Sequence, residues 1–138
     1  MPIHKMNFDG GVFFAKQVGY IDNVDARMWA SALGKYAKGA DTPIMAVVDM
    51  TEVDRLCPTV TKTLQKLVQD GNVIGIVLIT SEMMASRNAR VMGKMGGMDR
   101  VRVFNHFDDA HAFVRANINP TFGTTPTFVT AYVAAPAF

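Results

Sequence analysis

Two uninterrupted apolar runs, Ile44-Met45-Ala46-Val47-Val48 and Val73-Ile74-Gly75-Ile76-Val77-Leu78-Ile79, constrain this chain more than any other feature. A strand solvated on one face alternates apolar with polar residues, whereas a strand buried on both faces has no such requirement. Both runs have strand length, and the segments around them carry helical spacing, so residues 44–114 read as strand, helix, strand, helix, strand, helix. Parallel neighbours need crossovers of helical length, and this order supplies them. An α/β domain follows. In open sheets of this kind, sites gather beyond the carboxyl ends of the strands, which here means the loops expected at residues 51–59 and 80–84.

Upstream, residues 3–7 form a short strand, Phe8-Asp9-Gly10-Gly11 has turn chemistry, and residues 12–21 continue as a second strand. From Asp22 or Asn23, both good caps, Val24, Met28, Trp29, Ala32, Leu33 and Tyr36 recur at helical spacing, and that helix should stop near Gly39, before Pro43. A second helix starts around Pro58, whose fixed φ suits a first helical position. It buries Val60, Leu64, Leu67 and Val68 and ends at Asp70-Gly71-Asn72. A third runs over about 82–95 with Ser81 as cap and Gly93, Gly96 and Gly97 closing it. Val101-Arg102-Val103-Phe104 is the last strand, and a fourth helix spans roughly 107–117, burying Phe107, Ala110 and Phe113 or Val114.

A chain of 138 residues with 49% hydrophobic content suits one domain with a covered core. A net charge of +2 does not point to nucleic acid, whose binders concentrate basic residues. The single cysteine, Cys57, excludes an internal disulfide framework and a cysteine-based structural zinc site. Met1 leads into polar and charged residues, and no apolar run is long enough to cross a bilayer, so a cytoplasmic protein without membrane insertion is expected.

Three short motifs add to this order. Gly19-Tyr20-Ile21-Asp22 precedes the first helix, Asp49-Met50-Thr51-Glu52-Val53 follows the central apolar run, and Met98-Asp99-Arg100-Val101-Arg102-Val103-Phe104 leads to Phe107. In sequence and spacing they resemble the Gly-x-Leu/Ile-Asp, Asp-Leu-Ser-x-Val and late Gly-Leu-Asp segments of STAS domains, the domains of bacterial anti-sigma factor antagonists. The resemblance covers residues 12–114. It implies a mixed sheet of four to five strands flanked by about four helices on one main side, in a domain of residues 1–118 that binds proteins rather than catalyses. In phosphorylated members a Ser or Thr opens the second helix, and Thr59 falls there. Cys57 and Pro58 stand where an acidic and a hydroxyl residue are usual, and Val60 replaces a glycine.

A phosphate on Thr59 would meet the positive end of a helix and place negative charge on a surface that partners use. The alternative is a Thr that satisfies a helix-start amide or faces solvent. The resemblance makes Thr51, Glu52, Asp54, Arg55, Pro58, Thr59, Thr61 and Lys62 the partner-binding surface, and a regulatory protein such as an anti-sigma factor kinase the partner.

Other constellations carry less. Asp49 with Thr80 or Ser81 suggests a phosphoacceptor site, but no lysine follows the last strand, so Asp49 is read as capping a loop. His4, His106 and His111 share no ligand spacing with carboxylates, and no metal or cofactor is expected. No G-x-S-x-G or P-loop motif occurs, and Gly93-Lys94-Met95-Gly96-Gly97 follows a helix instead of opening one. Cys57 has no histidine near it in sequence to act as base, so no catalytic residue is assigned. Met84, Met92 and Met95 read as core, and Arg87, Arg90 and Lys94 as a solvated basic face. The uncharged segment 119–138 carries Phe122, Phe128, Tyr132, Val133 and Phe138, too much apolar surface to stay free. It should pack on the domain or on a second copy, giving a homodimer. A second reading of the chain is a binding module for a small apolar or lipidic ligand, held between the helices and this tail.

Overall fold

A computed structural model describes residues 3–9, 11–39, 44–67, 69, 72–98 and 100–117. In chain order the elements are β1 (Ile3–Asp9), β2 (Val12–Ile21), α1 (Asn23–Gly39), β3 (Ile44–Leu56), α2 (Val60–Leu67), β4 (Val73–Ile79), α3 (Glu82–Arg87), α4 (Ala89–Gly96), β5 (Val101–Phe104) and α5 (Phe107–Asn117). The strands form one five-stranded sheet in the order β1-β2-β3-β4-β5. β1 is antiparallel to β2, and β2, β3, β4 and β5 are parallel. The α/β class and the mixed sheet are those expected.

The unbroken apolar runs find their reason in two packed faces. Phe13, Ala15, Ala46, Val48, Ile76 and Leu78 form one core with Trp29, Leu33, Leu64, Met84 and Met95 from α1, α2, α3 and α4. Val12, Phe14, Met45, Val47, Val77 and Ile79 belong to a second, with Ala110 and Val114 of α5. Successive strand residues point to opposite faces, so both parities had to be apolar. The helices therefore do not all lie on one main side: α5 covers the face opposite the other four, because β4 presents Val77 and Ile79 there.

Several boundaries move. β3 does not give way to a loop after Asp49; it continues to Leu56, because Glu52, Val53, Arg55 and Leu56 pair with Val18, Gly19, Tyr20 and Ile21 of β2. Pro58 and Thr59 form a turn ahead of α2, with the Val60 amide donating to the Cys57 carbonyl at 3.0 Å. The single helix expected over 82–95 is two, α3 and α4, which makes five helices where about four were expected. Ser81 does cap α3, accepting from the Met84 amide at 3.1 Å. In α1 the buried residues are Ala26, Trp29, Leu33 and Ala37, whereas Val24 and Met28 face solvent. Tyr36 is partly covered instead by stacking on Phe8, centroids 4.9 Å apart. The tail at 119–138, Pro43 and the turn residues Gly10, Asp70 and Gly71 lie outside the described residues.

One close approach fixes β4 against the connection into β5. A Cβ added at Gly75 would lie 2.9 Å from the Arg100 carbonyl oxygen, which already accepts from the Ile76 amide at 2.9 Å. Arg100 is itself in the left-handed region, φ 61°, and its guanidinium donates to the Val73 carbonyl at 2.9 Å. The atom that an added Cβ would meet is backbone and already hydrogen-bonded, with nowhere to yield, so Gly75→Ala should lose about 1–3 kcal/mol. Urea unfolding should show a lower midpoint at unchanged slope.

Candidate functional site

The extended ends of β2 and β3 build the surface that the resemblance singles out. Gly19 has φ 78°, a conformation that glycine adopts without strain, and the register of β2 against β3 shifts there. Asp22 and Asp25 then form reciprocal bonds at the start of α1: the Asp25 amide donates to Asp22 Oδ1 at 2.9 Å and the Asp22 amide to Asp25 Oδ2 at 3.1 Å. The Asp25 amide is the main reason the Asp22 carboxyl sits below its ordinary range. The Gly19-Tyr20-Ile21-Asp22 motif is thus a bend followed by a helix cap. From its end, the Ile21 carbonyl accepts from the Cys57 amide at 2.9 Å and holds the turn into α2.

A second anchor comes from Asn88, a residue the sequence reading passed over. Asn88 is buried at the break between α3 and α4. Its Oδ1 accepts from the Leu56 amide at 2.9 Å, and its Nδ2 donates to the Asp54 and Met84 carbonyls at 3.1 and 3.0 Å. One side chain therefore ties the end of β3 to the helix pair. Nothing in an isolated helical pattern marks this, since a mid-helix asparagine reads as a surface residue.

Thr51, Glu52, Asp54, Arg55, Pro58, Thr59 and Lys62 are all exposed, and Thr61 is half-buried with its hydroxyl donating to the Pro58 carbonyl at 3.0 Å. They do not form one patch of a single face. Pro58, Thr59, Thr61 and Lys62 cluster at the start of α2, where the Thr59 hydroxyl lies 3.1 Å from Cys57 Sγ and the Thr59 carbonyl accepts from the Lys62 amide at 3.1 Å. Cys57 Sγ in turn donates to Asn23 Oδ1 at 3.4 Å. Asp54 pairs with Arg87 of α3. Thr51 and Glu52 instead line a cleft that also includes Phe107 of α5, on the other face of the sheet.

That cleft, about 440 Å³, is lined by Lys16, Asp49, Thr51, Glu52, Ile79, Thr80, Asn105 and Phe107, at the carboxyl ends of β4 and β5 and beside the middle of β2 and β3. Lys16 and Asp49 are register partners across β2 and β3, and Asp49 faces Ile79 across β4. Asp49 is buried, and its Oδ1 accepts from the Thr51 amide at 3.0 Å and the Thr51 hydroxyl at 2.7 Å, a local cap as expected. Lys16 pairs with Glu52, and this hydrogen bond is the chief cause of its raised pKa, with burial opposing. The buried Thr80 hydroxyl donates to Asn105 Oδ1 at 2.8 Å. The lysine in this cleft comes from β2, a position that no linear motif announces.

His106 is exposed, and His111 is half-buried with its ring 5.7 Å from that of Phe107; burial first, then Arg115, lowers its pKa. Among the described residues no group of three His, Cys, Asp or Glu side chains is placed to hold a metal ion. No helix among them is long and apolar enough to cross a membrane.

No protein-family model matches the chain, and no curated protein does. Among solved structures, the chain is similar to an anti-sigma factor antagonist from Mycobacterium paratuberculosis, with a TM-score of 0.59 and 23% identity over 80% of this chain and 92% of that one. An uncharacterised Shewanella loihica protein with a SpoIIAA-like fold matches at a TM-score of 0.52 and 22% identity, over 80% of this chain and 90% of that one. The fold is therefore STAS-like.

Proposed function

We propose that this domain is a non-enzymatic regulatory module that binds another protein through the end of β3 and the start of α2, with Thr59 as its phosphorylation switch. The observation that carries this reading is the position of Thr59: exposed, in the turn that opens α2, on a fold shared with an anti-sigma factor antagonist. Its hydroxyl is accessible to a kinase, and Lys62 is exposed within one helical turn of it. A phosphoryl group there sits at the favourable end of the helix, so the modification leaves the fold intact while changing the charge that a partner meets. The partner fitting this surface is a regulatory protein of the anti-sigma factor kinase kind. The mixed charges of Asp54, Arg55 and Lys62 give the surface orientation without large net charge.

Thr59→Glu should weaken binding of the cognate partner about tenfold or more, measured by titration calorimetry, while thermal unfolding stays within about 0.5 kcal/mol of the parent. Unchanged affinity with Thr59→Glu and with the enzymatically phosphorylated protein would remove Thr59 from the switch. The second reading, an apolar or lipidic ligand held between the helices and the tail, gains nothing from the cavity beside Trp29, Gln17 and Met95, which at about 20 Å³ has room for a water molecule and not for an acyl chain; the tail lies outside the described residues.

A further inference from the structure

We propose that the cleft at the carboxyl edge of the sheet binds a small aliphatic amine, with Asp49 and Glu52 as counter-ions to its ammonium group and Ile79 and Phe107 against its alkyl stem. Four observations converge on it. The cleft is about 440 Å³, the size of small-ligand sites, and it opens where two of the parallel strands, β4 and β5, end. Its lining combines an apolar side, Ile79 and Phe107, with polar groups delivered by β2, β3 and the segments that follow β4 and β5. Two of those groups, Asp49 and Thr80, are each 1% exposed, so they are held rigidly and in a poorly solvated setting where charge acts strongly. Two carboxylates face one ammonium, that of Lys16, so the lining carries a net negative charge.

The sign of that charge selects the ligand. An anion would have to separate Lys16 from Glu52 and then approach Asp49 and Glu52 unshielded. An ammonium group meets the opposite situation: it adds a second cation to a pair of carboxylates and shares Glu52 with Lys16. Thr51, exposed at the rim, and the Asn105 side chain offer further hydrogen-bonding oxygens. Lys16 is then a competitor of the ligand, holding Glu52 while the cleft is empty of amine. This assignment does not depend on Thr59, which lies at the start of α2 beyond the lining of the cleft.

Pentylamine and pentanoate form a matched pair of probes differing in charge. Titrated into the full chain and followed by amide ¹H–¹⁵N shifts, pentylamine should give saturable changes at Lys16, Thr51, Glu52, Thr80 and Asn105, and pentanoate none. Asp49→Asn keeps an oxygen for Thr51 but removes the buried charge, and should weaken pentylamine by about tenfold or more. Glu52→Gln, at an exposed position, should weaken it by about threefold to fivefold, and Lys16→Met should strengthen it by a similar factor. A structural role alone does not give opposite signs for the two partners of one ion pair. Should Asp49→Asn fail to fold, the Glu52 and Lys16 variants still decide. Equal or tighter binding of pentanoate, no saturation by about 10 mM pentylamine, or loss of binding in Lys16→Met would overturn the assignment.

Discussion

A Val77→Asp chain should be recovered unfolded or insoluble. Val77 is 1% exposed in β4, between Val47 of β3 and Arg102 of β5, on the face covered by α5. An aspartate there loses the packing of the valine and places a carboxylate where water does not reach, a penalty of several kcal/mol against a total stability of about 5–15 kcal/mol. The neighbouring Arg102 offers a rescue, since its Cα is in register; it is exposed on the last strand of the order. Leu78→Asp removes that ambiguity. Leu78 is 1% exposed and lies in the opposite core, among Ala46, Val48 and Ile76. Circular dichroism and urea titration of the two should both report loss of the cooperative transition. A cooperatively folding Leu78→Asp protein would contradict the burial of β4 on both faces.

Asn88→Ala should be the most damaging single truncation outside the apolar core. It deletes the acceptor for the Leu56 amide and the donor for the Asp54 carbonyl together, and Leu56 is itself buried. Leaving such groups unsatisfied costs about 1–3 kcal/mol each, so a loss of roughly 2–4 kcal/mol is expected. Asn88→Asp should not rescue it, because a carboxylate would then face the Asp54 and Met84 carbonyls. The same change should loosen the end of β3 and with it the turn that carries Thr59. Faster hydrogen exchange at the Leu56 and Cys57 amides than at Ala46 and Val48 would show this local effect. Equal protection of all four amides relative to the parent would mean that Asn88 stabilises only its own helix pair.

The sequence by itself determined the class of the fold, and the reason is local. Continuous apolar runs at 44–48 and 73–79 admit few alternatives to strands covered on both sides, and Ser81, Asp22 and Asn23 mark helix starts by their own chemistry. The Gly19-Tyr20-Ile21-Asp22 motif was legible for the same reason, since the bend and the cap are made within a few residues of each other. The fixed φ of Pro58 marked a helix start two residues ahead of Val60, where α2 begins.

Tertiary structure decided what depends on partners distant in the chain. β3 outruns its apolar run because β2 offers paired backbone as far as Ile21, and hydrogen-bond pairing carries a strand through exposed Thr51, Glu52, Asp54 and Arg55. The helix over 82–95 breaks because Asn88 bonds to residues 54 and 56 as well as to its own helix. The second core exists only because α5 returns across the sheet to meet Val77 and Ile79. Lys16, Asp49, Thr80 and Asn105 meet in one cleft because parallel register sets the middle of β2 and β3 beside the ends of β4 and β5. No spacing within the chain encodes that meeting; it is a property of which strand lies beside which.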